Sequence, residues 1–546
     1  MERKRYSIDE LNNCSRQELI IMVMSMQDQL DRMNENLENL IEQIRIANLN
    51  RFGRKTERMD QIDGQLSLFN EAEYLSEEPW EEPAANEILP AKKPKRKKGQ
   101  RDEDLKGFPE EFYDHRLTDE ELDLRFGEGC WRRLPSETYK RLRYEPASWT
   151  VEVHTVDVAV GTDGLAQDEF ARGGRPKDLL RNSILTNTLA AAVFNGKFTN
   201  AIPLNRIEQE FQRNGLRISR QTMANWVIQL SERYLSVIYE RLKTELLSCH
   251  VNQADETPVK VIHDGRPAGS TSYMWVHRSG EFYKDHPVVL YEYQKTRHHD
   301  HPREFYKGFN GVLMTDGLQQ YHMLEDLLPG VTSANCFAHA RRDFADAVKA
   351  MGTKDEKAVH ESVAYQALAR IAVIYKLEGE LRSMSPEERL RERQRTIKPV
   401  VEDYFTWVKA RLADHSVLPK SKTAQGLRYS VNQEKYLKVF LEDGEVPIDN
   451  SASERSIRPF TVGRKAWVLI NSVKGAEASA VAYSITETAK LNNLNPYYYY
   501  CHLFSELAKL SNDKGYIDTD ALEPTALDDL LPWSTKIPKE CYKGRR

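Results

Sequence analysis

Residues 250–261 read HVNQADETPVKV, a short apolar approach through Val251 and Ala254 that ends on Asp255. Alone the run decides little, because Asp-Glu before Thr-Pro is ordinary turn chemistry. A second run, GVLMTDG at 311–317, repeats the pattern, an apolar strand closing on Asp316 and a glycine. Between the two, SYMWVHRS (272–279) and PVVLYEYQ (287–294) are strand-like, and SANCFAHARRDF (333–344) opens as another strand. The order of these runs carries more information than any one of them.

A third carboxylate arrives much later, in DNSASERSIRPFTVGRKAW (449–467). Glu454 stands at the mouth of a cationic stretch in which Arg455, Arg458, Arg464 and Lys465 follow, with no further acid before Glu477. Ser451-Ala452-Ser453-Glu454 reads as a capping box that starts a helix. Pro459 is expected to end that helix, leaving Arg464 and Lys465 on a following loop or strand.

Strand-end Asp, further strands, strand-end Asp, a last strand and then a helix-borne Glu is the order of the ribonuclease H-like fold. Its first and fourth strands are neighbours, so Asp255 and Asp316 should lie side by side with Glu454 facing them. Three carboxylates in one cleft repel unless cations sit between them, and hard oxygen-seeking ions suit the cluster, Mg²⁺ first with Mn²⁺ as the alternative. Two such ions about 4 Å apart activate a nucleophile and stabilise a leaving oxygen in an in-line phosphoryl displacement. The substrate is then a phosphodiester, and Arg455, Arg458, Arg464 and Lys465 would hold DNA backbone beside the metals.

The N-terminal segment has a different periodicity. Leu19, Val23, Met26, Leu30, Met33, Leu37, Leu40, Ile44 and Ala47 fall at alternating steps of four and three. Residues 1–50 are therefore expected to form a coiled coil and to make a homodimer or higher oligomer. A linker is expected over 51–103, where the acidic EEPWEEPAANE (77–87) precedes the basic KKPKRKKGQR (92–101). Residues 104–172, ending in SWTVEVHTVDVAVG (148–161), suggest a small β-rich domain. Residues 173–246 read as helical. Within them LNRIEQEFQRNGLRISRQTMANWVIQL (204–230) gives helix, Gly215 turn, Ser219 cap and second helix, a helix-turn-helix cue that sets Arg220 and Gln221 toward DNA. Helical packing without DNA contact is the alternative. The catalytic domain is expected over 247–340 and 441–495, split by a helical insertion at 341–440, with a C-terminal tail at 496–546.

Composition narrows the class. The chain has 546 residues, 40% hydrophobic and 29% charged, enough for roughly three or four domains. No run approaches the roughly 18 apolar residues of a membrane span, and no signal-peptide pattern opens the chain. Six scattered cysteines without a C-x-x-C pair point to a reducing cytoplasm and against a disulfide framework. A formal net charge of −5 means that nucleic-acid contact must come from local patches.

HVNQADETPVKV, LMTDGLQQYH, CFAHARRDF, DNSASERSIRPFTVGRKAW and YSITETAKLNNLNPYYYY resemble successive blocks of the insertion sequence 66 family of bacterial DDE transposases. RFGRKTER and GQLSLFNEAE resemble the N-terminal blocks of that family, beside its leucine-zipper-like start. The resemblance implies that Asp255, Asp316 and Glu454 are the catalytic triad and metal ligands of a DNA transposase acting on element ends and a target. Water would be the nucleophile for 3′-end cleavage and the freed 3′-OH the nucleophile for strand transfer. One departure stands out: the cysteine-rich zinc segment common after the linker is reduced to Cys130 in FGEGCWRRLP.

Cys336 and His339 have the spacing of a ligand pair, and His298, His299 and His301 supply further imidazoles. Without a second paired motif, Cys336 is expected to pack in the core and His339 to line the cleft or orient a neighbour. Two rivals remain at this stage, a ribonuclease H-like nuclease that cuts without joining and a DNA-binding regulator with a dead site.

Overall fold

The computed structural model describes residues 15–52, 177–181, 183–267, 269–351, 356–414, 417–512, 515–518, 520 and 522–544, with short pieces at 120, 151–152, 158–160 and 170–172. Cys130 and most of the linker expected over 51–103 lie outside these residues. Of the expected β-rich segment, Val158–Val160 pairs antiparallel with Phe170–Arg172, and nearly all the rest is also outside them.

The central sheet has five strands: β1 (Val251–Val259), β2 (Ser272–Ser279), β3 (Val289–Gln294), β4 (Gly311–Thr315) and β5 (Val331–Asn335). Their spatial order is β3-β2-β1-β4-β5. β1 runs antiparallel to β2, and β2 to β3, whereas β4 is parallel to both β1 and β5. The first and fourth strands are neighbours, as the order of the sequence runs implies. Both faces are covered, because side chains alternate across a strand. Leu313 joins one core, together with Val276, Leu290 and Tyr483, while Val312 and Met314 join a second with Phe344, Ile371, Tyr404 and Leu427.

The N-terminal seam lies on one helix, α1 (Arg16–Phe52). Val23, Met26, Leu30, Met33, Leu37, Leu40 and Ile44 are each more than half exposed along it. The helix-turn-helix cue becomes α2 (Leu204–Arg213) and α3 (Arg220–Leu230). Between them Gly215 takes φ +80°, a left-handed turn that costs glycine nothing. The Ser219 hydroxyl caps α3 by accepting from the Thr222 N–H at 3.1 Å. Ile207, Phe211, Met223, Trp226 and Leu230 are buried, which leaves Arg220 and Gln221 exposed at the start of α3.

After β5 the chain is helical up to the third carboxylate's region, starting with α4 (Phe337–Met351) and continuing through Val363–Glu380, Lys398–Ala413 and Lys422–Asn432. Its apolar residues build the second core against the sheet. The cationic stretch forms α5 (Ser451–Trp467), a single helix with Pro459 inside it. This overturns the expectation that Pro459 ends the helix. The proline removes one backbone donor, but Ile457 and Phe460 on either side are buried. The Tyr291 hydroxyl also donates to the Ser456 carbonyl from the neighbouring strand. Tertiary packing outweighs the local cost of about 3 kcal/mol.

Two more helices close the fold. α6 (Val473–Leu491) lies along the outer edge of β3, where the Val289 N–H donates to Thr488 Oγ1 at 3.0 Å and the Tyr291 N–H to Ser484 Oγ at 2.7 Å. Those hydroxyls satisfy an edge that would otherwise offer free donors. α7 (Pro496–Leu510) corrects the expected C-terminal tail. Tyr499, Tyr500, Leu503, Phe504 and Leu507 fall at helical spacing and are buried in the first core, where Leu531, Ile537 and Cys541 join them. Among the described residues, no helix is long and apolar enough to cross a membrane.

Candidate active site

Asp255 is not at the end of its strand, as the sequence suggested, but at the fifth of nine positions in β1. The strand continues because β2 pairs with it as far as Val259. On its other side the pairing with β4 runs Val251–Val312, Asn252–Leu313 and Gln253–Met314. The pairing stops two residues short of Asp255 and Asp316, which are close enough for the charge of Asp316 to act on the Asp255 carboxyl. Asp316 follows the last residue of β4, and its Oδ1 accepts from the Leu318 N–H at 3.0 Å. Gly317 holds the turn at φ +89°, and a Cβ there would stand 2.6 Å from the Tyr429 hydroxyl. That hydroxyl donates to the Asp316 carbonyl at 2.9 Å, so a helix of the insertion braces this turn.

Glu454 comes from the first turn of α5. Asn450, not Ser451, occupies the cap position before the helix, and its side chain makes no cap. The amide is used elsewhere. Asn450 Nδ2 donates to the Ala254 carbonyl at 2.8 Å, and Asn450 Oδ1 accepts from Gln253 Nε2 at 3.2 Å. Gln253 Nε2 also reaches the Asp449 carbonyl at 3.3 Å. The start of the Glu454 helix is thus clipped to the two residues before Asp255. From β2 the buried Arg278 donates to the Ala452 carbonyl at 3.0 Å and to Ser456 Oγ at 3.3 Å. Sequence reasoning missed Gln253, Asn450 and Arg278, since a polar residue carries no mark of burial until its partners are known.

The charges in this corner sense one another. Burial pushes the Asp255 carboxyl well above the ordinary carboxylate range, and the negative charges of Glu256, Asp316 and Glu454 push it further. Glu256 is also raised, by burial first and then by Asp316. Arg297 Nε offsets part of this with a 2.7 Å bond to Glu256 Oε1, and the Tyr321 hydroxyl donates to Oε2 at 2.8 Å. Arg297 leads from the acidic corner into an open cavity of about 630 Å³ lined also by His298, His299, Gln319 and Gln320. His339 faces the cluster with Nδ1 3.9 Å from Glu454 Oε1, and burial lowers its imidazole to about 4.

The expected cationic residues divide. Arg455 pairs with Glu281 at 3.1 Å, and Arg464 donates to Thr257 Oγ1 at 3.1 Å and to the Pro258 carbonyl. Arg464 therefore ties the last turn of α5 to the far half of β1. Arg458 is half-buried and Lys465 is exposed on the same helix.

Burial first, and then the neighbouring negative charges, hold the Asp255 carboxyl above its normal range. An oxygen-only donor set with these charges fits a hard divalent cation. In a metal-free preparation the same burial and charge cost stability. Because the folded state holds the Asp255 proton more tightly than the unfolded chain, the cost is present at neutral pH and fades as pH falls toward the ordinary carboxylate range. Asp255→Asn is therefore expected to melt a few degrees above the unsubstituted protein in chelator at neutral pH, with the gap narrowing in acid. Equal melting at neutral pH would contradict this reading of the cluster.

A family model described as "Transposase IS66 family" matches residues 182–478, more than half of the chain and all three carboxylates. The chain belongs to this family. A second model, described as "Transposase C of IS166 homeodomain", matches residues 39–111. Three uncharacterized proteins of Sinorhizobium fredii are similar to this family member. They are y4jD, 28% identical over 66% of this chain and 68% of its own length, y4hP, 27% over 65% and 63%, and y4qI, 27% over 69% and 66%. The chain thus spans roughly two thirds of the length of each relative.

Proposed function

We propose that this IS66-family chain cuts and joins DNA at the ends of an insertion sequence, using Asp255, Asp316 and Glu454 as catalytic carboxylates in a ribonuclease H-like core. The observation that supports the reading is that the charges of both Asp316 and Glu454 act on the Asp255 carboxyl, while Asn450 and Gln253 clip the Glu454 helix to the strand that carries Asp255. The carboxylates would hold Mg²⁺, two ions in the full site, which supplies an activated nucleophile and charge stabilisation for phosphoryl displacement. The chain's own residues fix the geometry. Tyr429 and Gly317 hold the Asp316 turn, Arg278 and Asn450 hold Glu454, and Arg297 with Tyr321 neutralises Glu256 so that it does not compete for cations.

We assign Arg458 and the exposed Lys465 of α5 to DNA phosphates, and Arg455 and Arg464, through Glu281 and β1, to positioning the helix. Arg220 and Gln221 at the exposed start of α3 suit base or phosphate contact in a major groove. The seam of α1 that stays exposed although the helix also packs on α4 suits a coiled coil between two copies. Removing residues 1–50 is expected to reduce the oligomer in light scattering, and an unchanged mass per complex would move the interface elsewhere.

The decisive assay incubates the purified full chain with Mg²⁺ and duplexes carrying the element's own ends. Cleavage to 3′-OH ends followed by joined products is expected. Cleavage without joining would favour a nuclease, and binding without cleavage a DNA-binding regulator.

A further inference from the structure

Cys336 and His339 were a spacing without a third partner in the sequence, and the fold supplies one. Cys336 follows the last residue of β5, and His339 lies in the first turn of α4. Glu454 arrives from α5, more than a hundred residues later. The ligand atoms of the three, a sulfur, an imidazole nitrogen and a carboxylate oxygen, all lie within 4.8 Å of one another. His339 Nδ1 is buried and makes no hydrogen bond, an uncommon state for a nitrogen facing a carboxylate. The sulfur accepts from the Asn450 N–H at 3.2 Å, a bond that a metal-bound thiolate could keep.

We propose that Cys336, His339 and Glu454 form a zinc-class metal site, distinct in chemistry from the oxygen-only cluster but sharing Glu454 with it. One sulfur, one nitrogen and one oxygen are the donors that borderline-soft, tetrahedral ions take, with a fourth position left open. Mg²⁺ avoids sulfur, so the two kinds of ion compete through Glu454 and not for identical ligands. Binding replaces the Cys336 S–H proton by the metal and releases that proton to solvent, with no change of oxidation state. A Zn²⁺ ion held here draws Glu454 away from Asp255 and Asp316, which makes the site an inhibitory one. This consequence rests on the proposed role of Glu454 in DNA cleavage. The metal site itself does not.

The test uses Co²⁺ as the probe on the full-length chain. A saturable, one-per-chain thiolate-to-cobalt absorption band is expected, displaced by Zn²⁺, absent in Cys336→Ser, and weakened in His339→Gln by at least the roughly tenfold that loss of even a supporting residue costs. No such band in the unsubstituted protein, or an equal band in folded Cys336→Ser, would overturn the site. In Mg²⁺-supported DNA cleavage, Zn²⁺ should inhibit the unsubstituted protein and inhibit Cys336→Ser at least tenfold less. Equal inhibition of both would overturn the inhibitory role. A cobalt band in a chain that cleaves no DNA would keep the metal site and refute the proposed function instead.

Discussion

Alanine at Asp255, Asp316 or Glu454 is expected to reduce strand cleavage about 10³-fold or more while leaving affinity for end DNA near its starting value. Loss of a metal-holding carboxylate forfeits several kcal/mol of transition-state stabilisation, and each 1.4 kcal/mol is tenfold in rate. DNA affinity should persist because the residues assigned to phosphate and base contact lie elsewhere, on α3 and the outer part of α5. Single-turnover cleavage of end-labelled duplex, beside a binding titration, reads both quantities. A variant within a few-fold of the unsubstituted rate would remove that carboxylate from the chemistry.

The second large effect is expected at a residue with no charge. Asn450→Ala removes the donor to the Ala254 carbonyl and the acceptor for Gln253, in a position with no solvent exposure. Gln253 keeps the Asp449 carbonyl, but losing the buried donor to the Ala254 carbonyl costs about 1–3 kcal/mol. It also frees the start of the Glu454 helix from the strand that carries Asp255. Misplacing a reacting group by an ångström can cost about 100-fold, and a fall of that size is expected in the cleavage rate with DNA affinity unchanged. A purely structural role would lower folded protein without changing the rate per folded molecule. Full activity per folded molecule would show that the clip does not position Glu454.

Much of this geometry could be read before any coordinates. Asp-Gly after an apolar run is ordinary turn chemistry, so Asp316 stood out only through the order of the runs, and the same order made its strand a neighbour of β1. The exact place of Asp255 was not visible, because the length of β1 is set by its partner β2, and not by Thr257 and Pro258 within it. Pro459 misled for a related reason: local chemistry favours a break, while the buried contacts of Ile457 and Phe460 favour continuity. The segment from 496 reads as a tail in the sequence, although Tyr499, Tyr500, Leu503, Phe504 and Leu507 fall at helical spacing and form a buried face. Asn450, Gln253, Arg278 and the Glu256–Arg297–Tyr321 group could not be found, since each depends on partners remote in sequence. The same remoteness hid the third partner of Cys336 and His339.

The central claim is that carboxylates at 255, 316 and 454 make one cation site. It is tested most directly by titrating Mn²⁺, which favours oxygen ligands, into the full-length chain and counting bound ion by electron paramagnetic resonance. Saturable binding is predicted for the unsubstituted protein, with each of Asp255→Asn, Asp316→Asn and Glu454→Gln weakening it at least tenfold. Binding unchanged in any two of the three variants would contradict a shared site.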